Sequence, residues 1–294
     1  MTLHYLRGDM KKVLVTGCSG YIGSHLCKML AGKYTVHGLD LYEPQVPVDK
    51  FYKVNINQMF TIPDQTDPYD AVIHLAALVN VSESERMPIM YYITNLNGTM
   101  NVINKIPTKN FIFASTGAAT LCQSNYAISK RAAESVIKEY CTVHKQQDYT
   151  IFRFYNVIGS DGIEPTNRDG LMYKLFESSY TGKFTIFGND YNTPDGTCIR
   201  DYVHVNEVCH ALMEAVENPS GKIENLAHGI STSVKEIVDL FQKVNNIELN
   251  VSYGPRRAGD VERSILDSVS PYMKNLYSLE ELLNFILVEK QVCT

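Results

Sequence analysis

In the stretch FIFASTGAATLCQSNYAISK, three side chains have the chemistry to move a proton: Thr116, Tyr126 and Lys130. A free tyrosine loses its proton near pH 10 and is a poor base at neutrality unless positive charge favours the phenolate. Lys130 lies four residues after Tyr126, so on a helix the two share one face with Cβ atoms about 5–6 Å apart. Tyrosine and lysine meet at that spacing on many helices without any function. The Ser115–Thr116 pair that ends the preceding apolar run is what singles this pair out. Only ten positions part Thr116 from Tyr126. At about 3.3 Å per extended residue, that link is long enough to bring the side chains into contact.

Elements on either side must place these groups. KKVLVTG, YTVHGLD, YDAVIHLAA, KNFIFAS and DYTIFRFYNVIG read as strands, and residues 21–31, 89–103 and 125–144 as helices. Alternation of this kind predicts an α/β fold, a doubly wound parallel sheet of the Rossmann type, whose ligands bind at the C-terminal edge of the strands. Ser115 and Thr116 fall on that edge. Beyond Gly159, Gly, Pro, Asn and Asp cluster in GSDGIEPTNRDG and FGNDYNTPDG. This change sets a boundary near residue 160: a dinucleotide-binding domain over 1–160 and a smaller C-terminal α/β domain over 161–294, with segments of the second able to return to the first.

The turn VLVTGCSGYIGSHL carries Gly17, Gly20 and Gly23, with Tyr21 and Ile22 opening the helix. Glycine lets the backbone approach a pyrophosphate, and the helix N-terminus offers N–H groups and a positive dipole. Asp40 ends the second strand, where a carboxylate accepts both hydroxyls of an adenosine ribose and repels a 2′-phosphate. No arginine follows in DLYEPQ, so the cofactor expected is NAD rather than NADP. The alternative for Asp40 is a plain loop cap.

Bulk properties narrow the partners. Of 294 residues 45% are hydrophobic and the net charge is −5, with Lys and Arg scattered. That argues for a core-forming globular chain and against a nucleic-acid or anionic-membrane surface. Seven cysteines without CxxC or Cys/His ligand spacing point to reduced thiols, no metal and a cytoplasmic setting. There is no signal-peptide pattern and no run of about 18 apolar residues to cross a membrane.

Taken together, GxxGxxG, the strand-end Ser/Thr and YxxxK resemble the extended short-chain dehydrogenase/reductase family. FRFYNVIG, FTIFGNDYNTPDGTCIRDYVHV and GPRRAGD are similar to its UDP-glucose 4-epimerase branch, over residues 11–260. The resemblance implies an NAD-dependent isomerase acting on UDP-glucose and UDP-galactose. Tyr126 would be the base, Thr116 the hydroxyl bridging it to the sugar 4-OH, and Lys130 the contact to the nicotinamide ribose. Leu75, Ala76, Ala77, Asn95 and Ser115 would line the cofactor, with Asn55 and Ile56 beside its adenine. Asn156, Leu171, Phe187, Arg200, Arg257 and Asp260 would surround the UDP group, two arginines suiting a diphosphate and a carboxylate suiting ribose hydroxyls. The resemblance also implies a homodimer through the helices at 89–103 and 125–144. His74 and His204, both in apolar runs, read as core histidines.

Departures from the family pattern qualify these expectations. The link between Thr116 and Tyr126 is short against the family's usual twenty-five or so residues, which bears on how well the pocket is enclosed. Val79 replaces a lysine, and Gly170 an asparagine. Ser264 stands where the family carries a large tyrosine, so UDP-N-acetyl sugars are expected to fit. A 4,6-dehydratase or decarboxylase needs a further acid and base after the strand-end threonine. Here that pair is Gly117–Ala118, which moves no protons. The other alternative is an NAD- or nucleotide-sugar-binding protein with impaired catalysis.

Overall fold

The computed structural model describes residues 10–63, 67–144, 147–159, 163, 167–257, 259–266, 270–273, 277–281 and 283. Its strands are β1 Lys12–Thr16, β2 Thr35–Asp40, β3 Lys50–Lys53, β4 Ala71–His74, β5 Asn110–Thr116, β6 Asp148–Phe154, β7 Asn156–Ile158, β8 Lys183–Phe187, β9 Ile199–Arg200, β10 Tyr202–His204, β11 Ile223–Leu226, β12 Thr232–Ser233, β13 Asn250–Gly254 and β14 Arg263–Ser264. The helices are α1 Tyr21–Leu30, α2 Val81–Arg86, α3 Pro88–Tyr91, α4 Gly98–Lys105, α5 Asn125–Val143, α6 Leu171–Thr181, α7 Val205–Glu217 and α8 Val234–Asn245. A π-helical turn, Tyr92–Asn97, joins α3 to α4, and a 3₁₀ turn, Gly117–Thr120, follows β5.

Seven strands form one parallel sheet in the order β3-β2-β1-β4-β5-β6-β11. The first six follow the doubly wound order, and the fold is the one expected. Because helices cover both faces, the strands are apolar on both sides. Val13, Val15, Ile73 and Ile112 meet Leu26 and Leu30 of α1 and Val208 and Leu212 of α7. Leu14, Val72, Phe111, Phe113 and Ile151 point the other way, onto Val102 and Ile103 of α4 and Ala133 and Ile137 of α5. A third core joins Leu175 of α6, Phe184 and Ile186 of β8, and Ile237, Val238 and Phe241 of α8. No helix among the described residues is long and apolar enough to cross a membrane.

Two sequence expectations are refined. DYTIFRFYNVIG is two strands: β6 stays in the main sheet, whereas β7 leaves it to pair with β10. The chain also crosses back over the boundary near 160. Helix α7 packs on α1, and β11 completes the sheet beside β6.

Candidate active site

The C-terminal edge of the sheet opens into a cavity of about 1330 Å³. At one end is the β1–α1 turn. Gly17 has φ +74°, and its N–H donates to the Leu39 carbonyl at 2.9 Å. A Cβ on Gly17 would come within 2.7 Å of the Ala76 nitrogen, and one on Gly23 within 2.0 Å of the Gly17 oxygen. Gly20 caps α1 without a side-chain hydrogen bond, so Tyr21 and Ile22 of its first turn present their backbone to the cavity they line. Asp40 accepts N–H bonds from Ser19 at 3.0 Å, Leu41 at 2.6 Å and Tyr42 at 3.2 Å, which fixes its carboxylate against the glycine turn. Gly17→Ala is expected to weaken NAD binding about tenfold or more. A left-handed non-glycine residue alone costs of order 1–3 kcal/mol, and 1.4 kcal/mol is a factor of ten. Calorimetric titration with NAD reads this directly.

Asn55, Ile56, Leu75, Ala76 and Ala77 line the same cavity. Beneath them His74, fully buried, joins Thr16 at 2.6 Å through Nδ1 and Thr99 at 2.9 Å through Nε2. Thr99 donates onward to the Asn95 carbonyl, and Thr16 accepts the Ala76 N–H. Burial, with a smaller effect from Lys130, pushes the His74 imidazole down to about 3. It is a neutral core histidine, as the sequence indicated. An unfolded histidine titrates near 6.5, so between that pH and about 3 the unfolded chain binds a proton that folded His74 refuses. Stability is therefore expected to fall as pH falls through this window, by about 1.4 kcal/mol per pH unit for this group. His74→Gln should flatten the slope of denaturation midpoint against pH.

Asn95 departs from expectation. It is fully buried and does not line the cavity. Its Oδ1 accepts the Leu78 N–H and its Nδ2 donates to the Leu78 carbonyl, each at 2.9 Å, and also to Ser129 Oγ at 3.1 Å. It lies in the π turn, whose wider winding shifts the facing of its residues from α-helical register. Thr94 takes the place on the cavity wall.

Thr116 ends β5 and caps the 3₁₀ turn, its Oγ1 accepting the Ala118 N–H at 3.3 Å. Ser124 caps α5 through the Ala127 N–H at 3.2 Å, which places Tyr126 in the first helical turn. Burial pushes the Tyr126 phenol up to about 12, opposed by a hydrogen bond from Thr116. The ten-residue link thus does bring Thr116 and Tyr126 together. Lys130 is buried, and its Nζ sits 4.4 Å from the centre of the Phe113 ring. Burial lowers its ammonium to about 7 against the pull of Glu134. Burial, the larger effect, and Thr116 set the phenol here.

Ser115 lines the cavity, but its hydroxyl is committed to Glu134 Oε1 at 2.5 Å. Glu134, 1% exposed, receives the Arg153 guanidinium at 2.8 and 2.7 Å, and Arg153 also donates to Thr120 Oγ1 at 3.2 Å. This network under the site was not anticipated. Its signal was present: an arginine inside the apolar strand DYTIFRF requires a buried partner.

On the opposite side Asn156, Leu171, Arg200 and Asp260 line the cavity, with Arg200 Nη2 3.6 Å from Asp260. Phe187 and Arg257 do not line it. They stack on each other, guanidinium carbon 4.0 Å from ring centre, and Arg257 donates to the Asp169 carbonyl at 3.1 Å. The cation–π contact and that hydrogen bond hold the arginine outside the cavity wall. Sequence reasoning passed over Tyr202 in RDYVHV. It lines the cavity at 2% exposure, and its hydroxyl has no hydrogen-bond partner among the described residues. Val79, Gly170 and Ser264 are also on the wall. His204 caps α7 by accepting the Asn206 N–H at 3.1 Å, a structural role.

A six-strand doubly wound order with a glycine cradle at its β1–α1 turn and an acid ending β2 defines a dinucleotide-binding α/β enzyme. Within that class the chain belongs to the NAD dependent epimerase/dehydratase family, whose model matches residues 13–227. It is 30% identical to the UDP-glucose 4-epimerase of Lactobacillus helveticus, over 87% of this chain and 88% of that protein. Identity to the UDP-glucose 4-epimerase of Yersinia pestis is 31%, over 85% and 87% of the two chains. Among solved structures, UDP-glucose 4-epimerase from Thermotoga maritima with UDP-glucose superposes with a TM-score of 0.82 at 27% identity, over 96% of this chain and 100% of that one. The Bifidobacterium longum enzyme with NAD+ and UDP gives 0.85 at 23% identity, over 96% and 99%, a likeness of fold. The chain is therefore an epimerase-like enzyme of an NAD-dependent family, as the motifs implied.

Proposed function

We propose that this chain interconverts UDP-galactose and UDP-glucose by oxidising and re-reducing the sugar at C4. One observation carries the reading: Thr116 and Tyr126, near enough for the hydroxyl to act on the phenol, share one cavity with the glycine cradle and with Arg200. The cradle is closed to any Cβ at Gly17 and Gly23, which fits a closely approaching pyrophosphate. NAD supplies the hydride acceptor, and later the donor, at C4. Gly17, Gly20, Tyr21, Ile22 and Gly23 hold its diphosphate, Asp40 its adenosine ribose, and Asn55 and Ile56 its adenine. Leu75, Ala76, Ala77 and Ser115 pack along it, and Lys130 reaches its nicotinamide ribose.

Tyr126 takes the proton of the 4-OH through Thr116 and returns it to the new 4-OH. A phenol pushed up to about 12 does this once positive charge enters the cavity beside it. Arg200 exchanges Asp260 for the substrate diphosphate, which frees Asp260 for the uridine ribose hydroxyls. Asn156 and Leu171 complete the wall, and the unpartnered Tyr202 hydroxyl donates to the same anion. Arg257 and Phe187 steady the neighbouring segment. Ser264 leaves room for an N-acetyl group, so UDP-N-acetyl sugars are accepted too.

The division of labour follows the boundary near 160: residues 1–160 bind the dinucleotide and 161–294 the nucleotide sugar, with α7 and β11 returning to the first part. Exposed Met87, Ile89, Met100, Ile128 and Val143 on α3, α4, α5 and their flanks support a homodimer through these helices. The test is incubation of NAD-loaded protein with UDP-galactose, following anomeric protons by NMR. UDP-glucose approaching equilibrium without net NADH supports the reading; a stable 6-deoxy-4-keto product or no conversion overturns it. The elimination alternative is disfavoured by Gly117 and Ala118, which offer no side-chain proton donor or acceptor.

A further inference from the structure

The reaction proposed above, on which this inference rests, requires a free keto sugar to stay in the cavity between two hydride transfers. Helix α2 is tied to segments on two sides of the cavity. At its start Asn80 caps it through the Glu83 N–H at 2.9 Å, and the same amide donates to the Asp169 carboxylate. Along its flank Gly259, at φ +81°, lies so near that a Cβ would stand 2.9 Å from Val81 Cγ1 and 3.9 Å from Ser124 Cβ. At its end Glu85 Oε1 accepts the Asn125 N–H at 2.8 Å and the Asn125 side-chain amide at 3.3 Å, immediately before Tyr126. The two substrate-side segments are joined in turn by the bond from Arg257 to the Asp169 carbonyl. Asp169 adjoins the wall residue Gly170, and Gly259 and Asp260 lie on the wall themselves.

We propose that α2 is a strut: Asn80 and Glu85 are positioning residues that hold the sugar-side segments against the start of the Tyr126 helix and so retain the keto sugar. Glu85 satisfies an N–H at the first turn of α5 and places negative charge at the positive end of that helix, which fixes where Tyr126 begins. Asn80 fixes the other end, its carbonyl oxygen turned to its own helix and its amide nitrogen to the sugar-side segment. Glu85 is exposed and Asn80 partly so, hence their removal costs a helix cap and surface bonds but no core packing, while it moves the walls of the site.

Loss of the strut has a signature distinct from lost stability. When a keto sugar escapes, the 4-OH proton has gone to Tyr126 and the C4 hydride to NAD, so one NADH is left per sugar released. The measurement compares wild type, Asn80→Ala, Glu85→Ala, the double variant and Glu85→Gln, all NAD-loaded, with UDP-galactose. Absorbance at the NADH band is read beside NMR of the products, with thermal unfolding as a control. Expected is a double variant that unfolds within about 5 °C of wild type and accumulates at least tenfold more NADH and keto sugar per UDP-glucose formed. Glu85→Gln should restore much of the retention, because its amide oxygen still accepts the Asn125 N–H. An unchanged ratio of NADH to product in the double variant overturns the strut, whether or not turnover falls. Failure of wild type to convert UDP-galactose would instead reject the function itself.

Discussion

Tyr126→Phe is expected to lower epimerisation by about 10²–10⁴-fold, the usual contribution of a positioned acid–base group, while NAD and UDP still bind. The substitution removes one oxygen from a ring that packs edge-on to Tyr91 with ring centres 6.4 Å apart, a contact that phenylalanine preserves. Thr116 keeps its bond to the Ala118 N–H, so the turn at the end of β5 stays formed. What is lost is the oxygen that the proposed reaction uses to accept the 4-OH proton. Turnover measured by NMR and affinity by calorimetry must therefore separate: kcat falls and the dissociation constants hold within about threefold. A variant retaining more than a tenth of wild-type turnover would show that another group takes the proton.

The second large effect concerns stability. Glu134→Ala is expected to destabilise the fold by about 3–5 kcal/mol, because it strands the Arg153 guanidinium at 8% exposure with its charge uncompensated. A guanidinium keeps its proton even without its partner, so Arg153 cannot escape by becoming neutral. For a chain of this size the fall in thermal midpoint is roughly 6–20 °C. Removing both partners tests the cause: Glu134→Leu with Arg153→Met removes both charges of the pair and should recover most of the loss. A double variant as unstable as Glu134→Ala would point to packing instead. Because Ser115 and Thr120 hang on the same pair, Glu134→Ala should also loosen the floor beneath Thr116.

What could be read from the sequence was local. GCSGYIG is a turn whose glycines are dictated by backbone geometry, and each buried strand is a continuous apolar run. Thr116 and Tyr126 were picked out by the strand-end Ser–Thr pair and the Tyr–Lys spacing, with a link long enough to let them meet. Asn95, Phe187 and Arg257 were placed by position in a motif, and position does not fix facing. A π turn directs Asn95 to Leu78, and a cation–π stack draws Arg257 off the wall. Lys130 follows Tyr126 on α5 at the spacing that shares a face, and its Nζ lies over the Phe113 ring, a contact the spacing alone did not announce. The Glu134–Arg153 pair spans two elements and nineteen positions, beyond any local pattern. The Tyr202 hydroxyl became conspicuous only through the lack of a partner once its surroundings were known.

Strand β11 has a consequence for how the protein is made. During synthesis β6 is complete at Phe154, but the neighbour that covers its outer edge ends at Leu226. At about 5–20 residues per second, the intervening chain takes several seconds to emerge. Throughout that interval the nascent sheet presents an open, apolar edge of the kind that recruits strands from other chains. A gene cut near residue 160 would make that interval permanent. Its product is expected to aggregate, and a cut after Leu226 is the shorter version with a prospect of remaining in solution.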